Sequence, residues 1–154
     1  MRYSIDSDPE TSARAQAIEV NISPKHSVEI CREIRGMELG KAKTYLEEVI
    51  SLKRAVPFKR YKQCVSHRKG TGFGPGRYPQ KAASKILKLL EDCEANAEYS
   101  GLNTDQLRIF HIAANRGRVT RGWMPRAHGR ATDWDTYTVN IEVILEEKEG
   151  EDGQ

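Results

Sequence analysis

The clearest periodic signal in the chain is TYTVNIEVILE, Thr136 to Glu146. Tyr137, Val139, Ile141, Val143 and Leu145 fall on one side of an extended backbone, and Thr138, Asn140 and Glu142 on the other. Alternation of this length marks a strand with one face on a core. Gln106 to Asn115 has the same period, with Leu107, Ile109, His111 and Ala113 on one face, and predicts a second strand. Gln16 to Ile22 predicts a third, shorter one, with Ile18, Val20 and Ile22 alternating with Ala17, Glu19 and Asn21.

Elsewhere the period is helical. Ser23-Pro24 predicts a helix start, with Ser23 as N-cap and Pro24 at the first helical position, where its missing N–H is harmless. Val28, Cys31 and Ile34 repeat at helical spacing, and Gly36 ends that helix. A second helix from about Glu38 carries the stripe Leu39, Ala42, Leu46, Val49 and Ile50 and must stop before Pro57. The longest helix opens at Tyr78-Pro79, turns Ala82, Ile86, Leu89, Leu90, Cys93 and Ala97 inward, and reaches a C-terminal cap at Gly101. Its Lys81, Lys85 and Lys88 share a different face.

The chain has 154 residues, 38% hydrophobic and 31% charged. That supplies one modest core, and residues 1–154 read as a single domain. No apolar run approaches the roughly 18–20 residues of a membrane span. Met1 to Glu10 is polar and acidic, unlike a secretory signal. Cys31, Cys64 and Cys93 are odd in number and form no CxxC, which points to a reducing compartment rather than a disulfide framework.

The formal net charge of +3 conceals a segregation. Residues 49–90 hold eleven Lys or Arg and no Asp or Glu; residues 106–132 hold six Arg and no acid. These two windows carry +17 and the remainder −14. A chain that excludes acids from two long windows avoids neutralising itself there, and a polyanion is the matching partner. A merely solvated basic face would mix signs.

The first window contains a basic, glycine-rich loop, 54–78, with Phe58, Tyr61, Phe73 and Tyr78 set among its cations. A loop this long in a compact domain is usually functional. Its Gly70, Gly72, Gly74 and Gly76 lack the spacing of a nucleotide-binding loop, so a backbone fitted against RNA is the simpler reading. Cys64 and His67 have half of a zinc spacing and no second half nearby. The second window contains most of Arg116 to Trp134, read as an extended hairpin arm, 116–134, with Arg116, Arg118, Arg121, Arg126 and Arg130 beside Trp123 and His128. Too few apolar residues lie here to fold the arm by burial. Arginine forks bind phosphate and stack on bases. No paired carboxylates or nucleophile–base sets lie in these windows, so no catalytic residue, metal ligand or cofactor is predicted. The alternative function class is a free RNA chaperone or RNA-processing enzyme using the same surfaces.

The run Met124-Pro125-Arg126-Ala127-His128-Gly129-Arg130-Ala131 resembles the hairpin signature of the large-subunit ribosomal protein family twenty-two. Ser23-Pro24-Lys25, Ile34-Arg35-Gly36 and Asn96-Ala97-Glu98 match that family's pattern in the same order. Pro57-Phe58-Lys59 and Gly76-Arg77-Tyr78-Pro79 resemble its archaeal and eukaryotic branch, and the short C-terminus favours archaea. The resemblance implies an α+β fold in which a three-stranded antiparallel sheet packs on three helices and carries a long β-hairpin arm. It implies a structural component of the cytoplasmic ribosome, bound to large-subunit ribosomal RNA and neighbouring ribosomal proteins. The globular part is expected near the polypeptide exit, and the hairpin along the tunnel beside the nascent polypeptide. The tip is expected at Trp123, Met124, Pro125, Arg126, Ala127, His128, Gly129 and Arg130. RNA contacts are expected at Lys25, His26, Lys53, Arg54, Lys59, Arg60, Tyr61, Lys62, His67, Arg68, Lys69, Gly74, Arg77, Tyr78, Lys81 and Lys85. The arm adds Arg116, Arg118, Arg121, Trp123, Arg126, His128 and Arg130. An acidic tail is expected over 147–154.

Overall fold

The computed structural model describes residues 3–8, 10–70 and 72–147, so the acidic tail beyond Glu147 lies outside the described residues. In chain order the elements are β1 (Ser12–Val20), α1 (Pro24–Ile34), α2 (Leu39–Ile50), β2 (Val56–Pro57), β3 (Gly76–Arg77), α3 (Gln80–Tyr99), β4 (Leu107–Thr120), β5 (Trp123–Pro125), β6 (Ala131–Asp133) and β7 (Thr136–Glu147). The main sheet is antiparallel, in the order β1-β7-β4. Helix α3 packs on β1 and β7, α1 packs on β4, and α2 lies along α3. The fold is therefore α+β, with three helices on one face of a three-stranded sheet.

The core forms where the two periodicities meet. Val139, Ile141, Val143 and Leu145 of β7 join Ile30 and Ile34 of α1, Leu46 of α2, and Ile86 and Leu90 of α3 in one buried cluster. The C-terminus of α3 is closed by Gly101 at φ +78, and the Leu102 N–H returns to the Ala97 carbonyl. That left-handed residue is where glycine is free of steric penalty.

Two bulges correct the predicted strand faces. Strand β1 starts and ends earlier than the alternation of Ile18, Val20 and Ile22 implied, and its buried residues are Ser12, Ala13 and Ala15. Glu19, at φ +54, lies where the register shifts between Ala17 and Val20. An inserted residue flips the phase, so Ile18 is 58% exposed while Ile22 is buried. In β4 the register passes from Ile109↔Leu145 to His111↔Ile144, with Phe110 as the extra residue. Leu107 and Ile109 are buried before it and Ile112 after it. His111 and Ala113 therefore do not share the core face with Leu107 and Ile109. The His111 Nε2 atom lies instead 3.3 Å from Glu142, on the opposite side of the sheet.

That second face is also covered. Glu142 and Ile144 are buried, and the Ser4 backbone N–H and hydroxyl both donate to the Glu142 carboxylate. Arg14 ties Ser7 to the same face. In α1, Ser23 stands at the N-cap but its hydroxyl caps nothing; its carbonyl accepts from the Ser27 N–H and hydroxyl. Ile30 and Glu29 are buried beside Cys31 and Ile34, whereas Val28 is half-buried. Tyr137, placed by alternation on the core face, is exposed because β7 there has already left the core for the arm.

Candidate nucleic-acid interface

The loop over 54–78 is built rather than loose. Strands β2 and β3 pair through Val56↔Arg77 and Pro57↔Gly76, and His67 bridges Pro75. Gly76 is required by space: a Cβ there would stand 2.8 Å from the Phe73 ring and 3.3 Å from the Val56 carbonyl. The turn after Phe58 is held from beneath by Glu29, which is 1% exposed. Its carboxylate accepts from the backbone N–H groups of Lys59 (3.2 Å), Arg60 (2.8 Å) and Tyr61 (2.7 Å). Burying a carboxylate is costly unless donors surround it, and three converging amides meet that requirement. Sequence reasoning missed Glu29. The available signal was a carboxylate inside the apolar stripe of α1, flanked by Val28 and Ile30.

Above this turn the structure gathers five predicted residues around a cleft of about 300 Å³: Lys25, His26, Arg60, Tyr61 and Arg77, with Phe58 as its floor. Lys25 and Arg60 stand 5.9 and 5.5 Å from the Tyr61 ring centroid, and Arg77 5.9 Å from that of Phe58. The His26 ring meets the Phe58 edge at 5.5 Å. Burial, and then the Arg77 charge, push the His26 pKa down, so its ring is neutral at physiological pH. Arg68 stacks on Tyr78 at 5.1 Å and donates from Nε to the Gly76 carbonyl. The His67 ring packs against Gly74, 3.6 Å from where a Cβ would sit.

Other predicted cations are placed differently. Arg54 lies 4.7 Å over Tyr45 and 3.4 Å from Glu48, and Lys59 lies 3.4 Å from Glu33, so both have carboxylate partners within the chain. Lys53, Lys62, Lys69, Lys81 and Lys85 are exposed. Among the described residues none of these five forms an ion pair.

The arm continues the main sheet. Pairing of β4 with β7 runs out to Val119↔Tyr137 and Thr120↔Thr136. Beyond it β5 pairs with β6, from Trp123↔Asp133 to Pro125↔Ala131. His128 (φ +59) and Gly129 (φ +64) turn the chain, and the Arg126 N–H bonds the Arg130 carbonyl at 2.8 Å. Two successive positive φ values give the primed turn that matches strand twist. The segment that looked too long for a tight hairpin is thus a long ribbon with a tight turn at its end. Arg116 stacks on Tyr137 at 4.9 Å, and Arg126 Nε donates to the Thr132 hydroxyl. Among the described residues no arm arginine pairs with a carboxylate. Trp123 is 70% exposed.

Connectivity brings the basic loop and the arm to one end of the sheet, while the second window begins at the other, where Arg108 pairs with Glu146. The arm root pairs Arg116 with Val139, and Val139 also pairs with Val20, four residues before α1 begins. Helix α1 then runs to the far end, where the Gly36 N–H bonds the Ile109 carbonyl. The C-terminal part of α3 reaches the start of β1, through Cys93 to the Ala13 carbonyl and Asn96 to the Arg14 carbonyl. Its lysine-bearing start therefore lies toward the arm root. Gln80 donates to the Ile50 carbonyl, which sets the end of α2 beside that start. Lys25, the loop, Lys81, Lys85 and the arm occupy one end. Glu146, Glu147 and the acidic second half of α3 occupy the other.

Such a layout defines a basic, arm-bearing nucleic-acid interface on an α+β scaffold, and the chain belongs to the family of ribosomal protein L22p/L17e, whose model matches residues 15–146. It is 53% identical over 146 residues to the large ribosomal subunit protein uL22 of Methanocella arvoryzae, covering 94% of this chain and 95% of that one. It is 57% identical over 143 residues to the protein of that name from Methanopyrus kandleri, covering 92% and 90% of the two chains. For the Methanocaldococcus jannaschii protein the identity is 51% over 148 residues, covering 96% and 95%. These relatives are archaeal ribosomal proteins, not enzymes.

Proposed function

We propose that the protein is a structural component of the large subunit of the cytoplasmic ribosome that holds ribosomal RNA with its basic end. The observation that carries this reading is the convergence of the basic loop and the arm on one end of the sheet, where, among the described residues, the arm arginines have no carboxylate partner. Cations grouped so closely repel one another, and RNA phosphates relieve that repulsion while releasing counterions. The globular part then sits near the polypeptide exit, and the arm, 116–134, follows the tunnel with its tip, Trp123 to Arg130, beside the nascent polypeptide. The acidic end faces solvent or basic neighbouring proteins. Sucrose-gradient sedimentation of native extracts tests the reading: the protein travels with the large subunit through a high-salt wash. Release as a free protein, with the subunit intact, would contradict it.

A further inference from the structure

The cleft above Glu29 has features that attraction to phosphate alone does not require. It is lined by Lys25, His26, Arg60 and Arg77, with Tyr61 on its wall and Phe58 as its floor, and no carboxylate lines it. Its volume, about 300 Å³, is at the lower end for ligand clefts, roughly 300–1,000 Å³, and admits one nucleotide but no duplex. Among the described residues Lys25, Arg60 and Arg77 have no acidic partner. The two cations at Tyr61 stand 5.9 and 5.5 Å from its centroid, near the roughly 6 Å limit of cation–π contact, so an entering base displaces little. The three amides bound to Glu29 fix the backbone from Lys59 to Tyr61 before any ligand arrives. Prior ordering of this kind lowers the entropy lost on binding.

We propose that this cleft takes a single unpaired nucleotide of the RNA, with its base on the Tyr61 ring and its phosphate among Lys25, Arg60 and Arg77. The inference rests on the RNA-binding reading above. A paired base is stacked within its helix and cannot enter a walled cleft, whereas a bulged or looped-out base presents its face to an aromatic ring. Arginine and lysine at the mouth suit the phosphate that accompanies the base. The neutral His26 ring adds a hydrogen-bonding edge without a further charge to desolvate.

The test uses the full chain bound to purified large-subunit ribosomal RNA. Ultraviolet zero-length cross-linking followed by mass spectrometry gives a nucleotide adduct on Tyr61 of the unmodified protein. In binding assays Tyr61→Phe retains the affinity, while Tyr61→Leu loses about tenfold or more, within the range found for one stacked base. The salt slope of Tyr61→Leu stays that of the unmodified protein, because no charge has changed; that of Arg77→Gln falls by about one phosphate contact. Unfolding midpoints of the variants separate loss of binding from loss of fold. Absence of a Tyr61 adduct while arm residues do cross-link overturns the proposal. So does a Tyr61→Leu protein that folds and binds normally while Arg60→Gln and Arg77→Gln weaken, since the cleft then takes backbone phosphate only. Failure of the broader RNA reading is distinguishable, because the unmodified protein itself would then bind without salt dependence.

Discussion

Glu29 lies on the core side of α1, yet its carboxylate is committed to the basic turn at Lys59, Arg60 and Tyr61. Removing its charge makes the protein more basic, and charge alone predicts tighter RNA binding. The geometry predicts the opposite, because the turn loses the acceptor that orders it. Glu29→Gln is expected to lower stability by about 1–3 kcal/mol, the range for under-satisfied buried donors, in urea titrations. RNA affinity should fall with it; a gain would show that the turn orders itself without Glu29. The thiols give a second residue-level expectation. Burial raises Cys31 and Cys93 from 9.0 to about 12, while Cys64 is exposed. Below pH 9 these thiols are neutral in both folded and unfolded chains. Above it the unfolded chain ionises first, so stability falls as pH rises from about 9 to about 12. Alkylation of native protein near neutral pH should modify Cys64 and leave the other two intact until unfolding. Rapid reaction of all three would place Cys31 and Cys93 outside the core. Glu29 was hard to read because a lone carboxylate in an apolar stripe has no local partner; its donors lie some thirty residues onward and become visible only when the loop folds over α1.

At the scale of elements the arm divides into a root built on the main sheet and a small terminal ribbon. A Cβ on Gly122 would stand 2.6 Å from the Trp134 carbonyl, the group facing it across the arm. Gly122→Ala should therefore break the Trp134 N–H to Gly122 carbonyl bond, seen as faster amide exchange at Trp134, without exposing core amides. Unchanged protection at Trp134 would mean that the backbone there yields freely. Replacing 121–135 by a two-residue Asn-Gly turn keeps the Thr120↔Thr136 pair and removes Arg121, Arg126 and Arg130 together with Asp133 and Asp135. Because nothing in 121–135 is buried, the unfolding free energy should change by no more than about 0.5–1 kcal/mol. A collapse of stability would show that the arm supports the core. Helix extents and the alternation of β7 were legible in the sequence, since each depends on local periodicity. The faces of β1 and β4 were not, because a single bulged residue, Glu19 or Phe110, reverses every side chain beyond it. The His128-Gly129 turn was visible only as a glycine within an arginine-rich stretch, and its role became clear once the two arms of the ribbon were paired.

For the whole molecule the governing feature is the separation of charge along the sheet. The two acid-free windows were evident from the sequence, and so was the polyanion they call for. The meeting of the loop and the arm at one end was not, because it depends on α1 starting at the arm root and α3 running in the sense that puts its lysines there. The account predicts a steep salt dependence for RNA binding, since each neutralised phosphate contributes a slope of roughly −0.7 to −0.9 in log K against log salt. The most direct measurement is therefore binding of the full chain to purified large-subunit ribosomal RNA across a salt series, beside the variant with the shortened arm. The expected slope is steeper than about −5 for the full chain and shallower by about 2–3 for the variant, which lacks three arginines. A flat dependence for the full chain, or equal slopes for the two proteins, would contradict an RNA interface shared by the globular end and the arm.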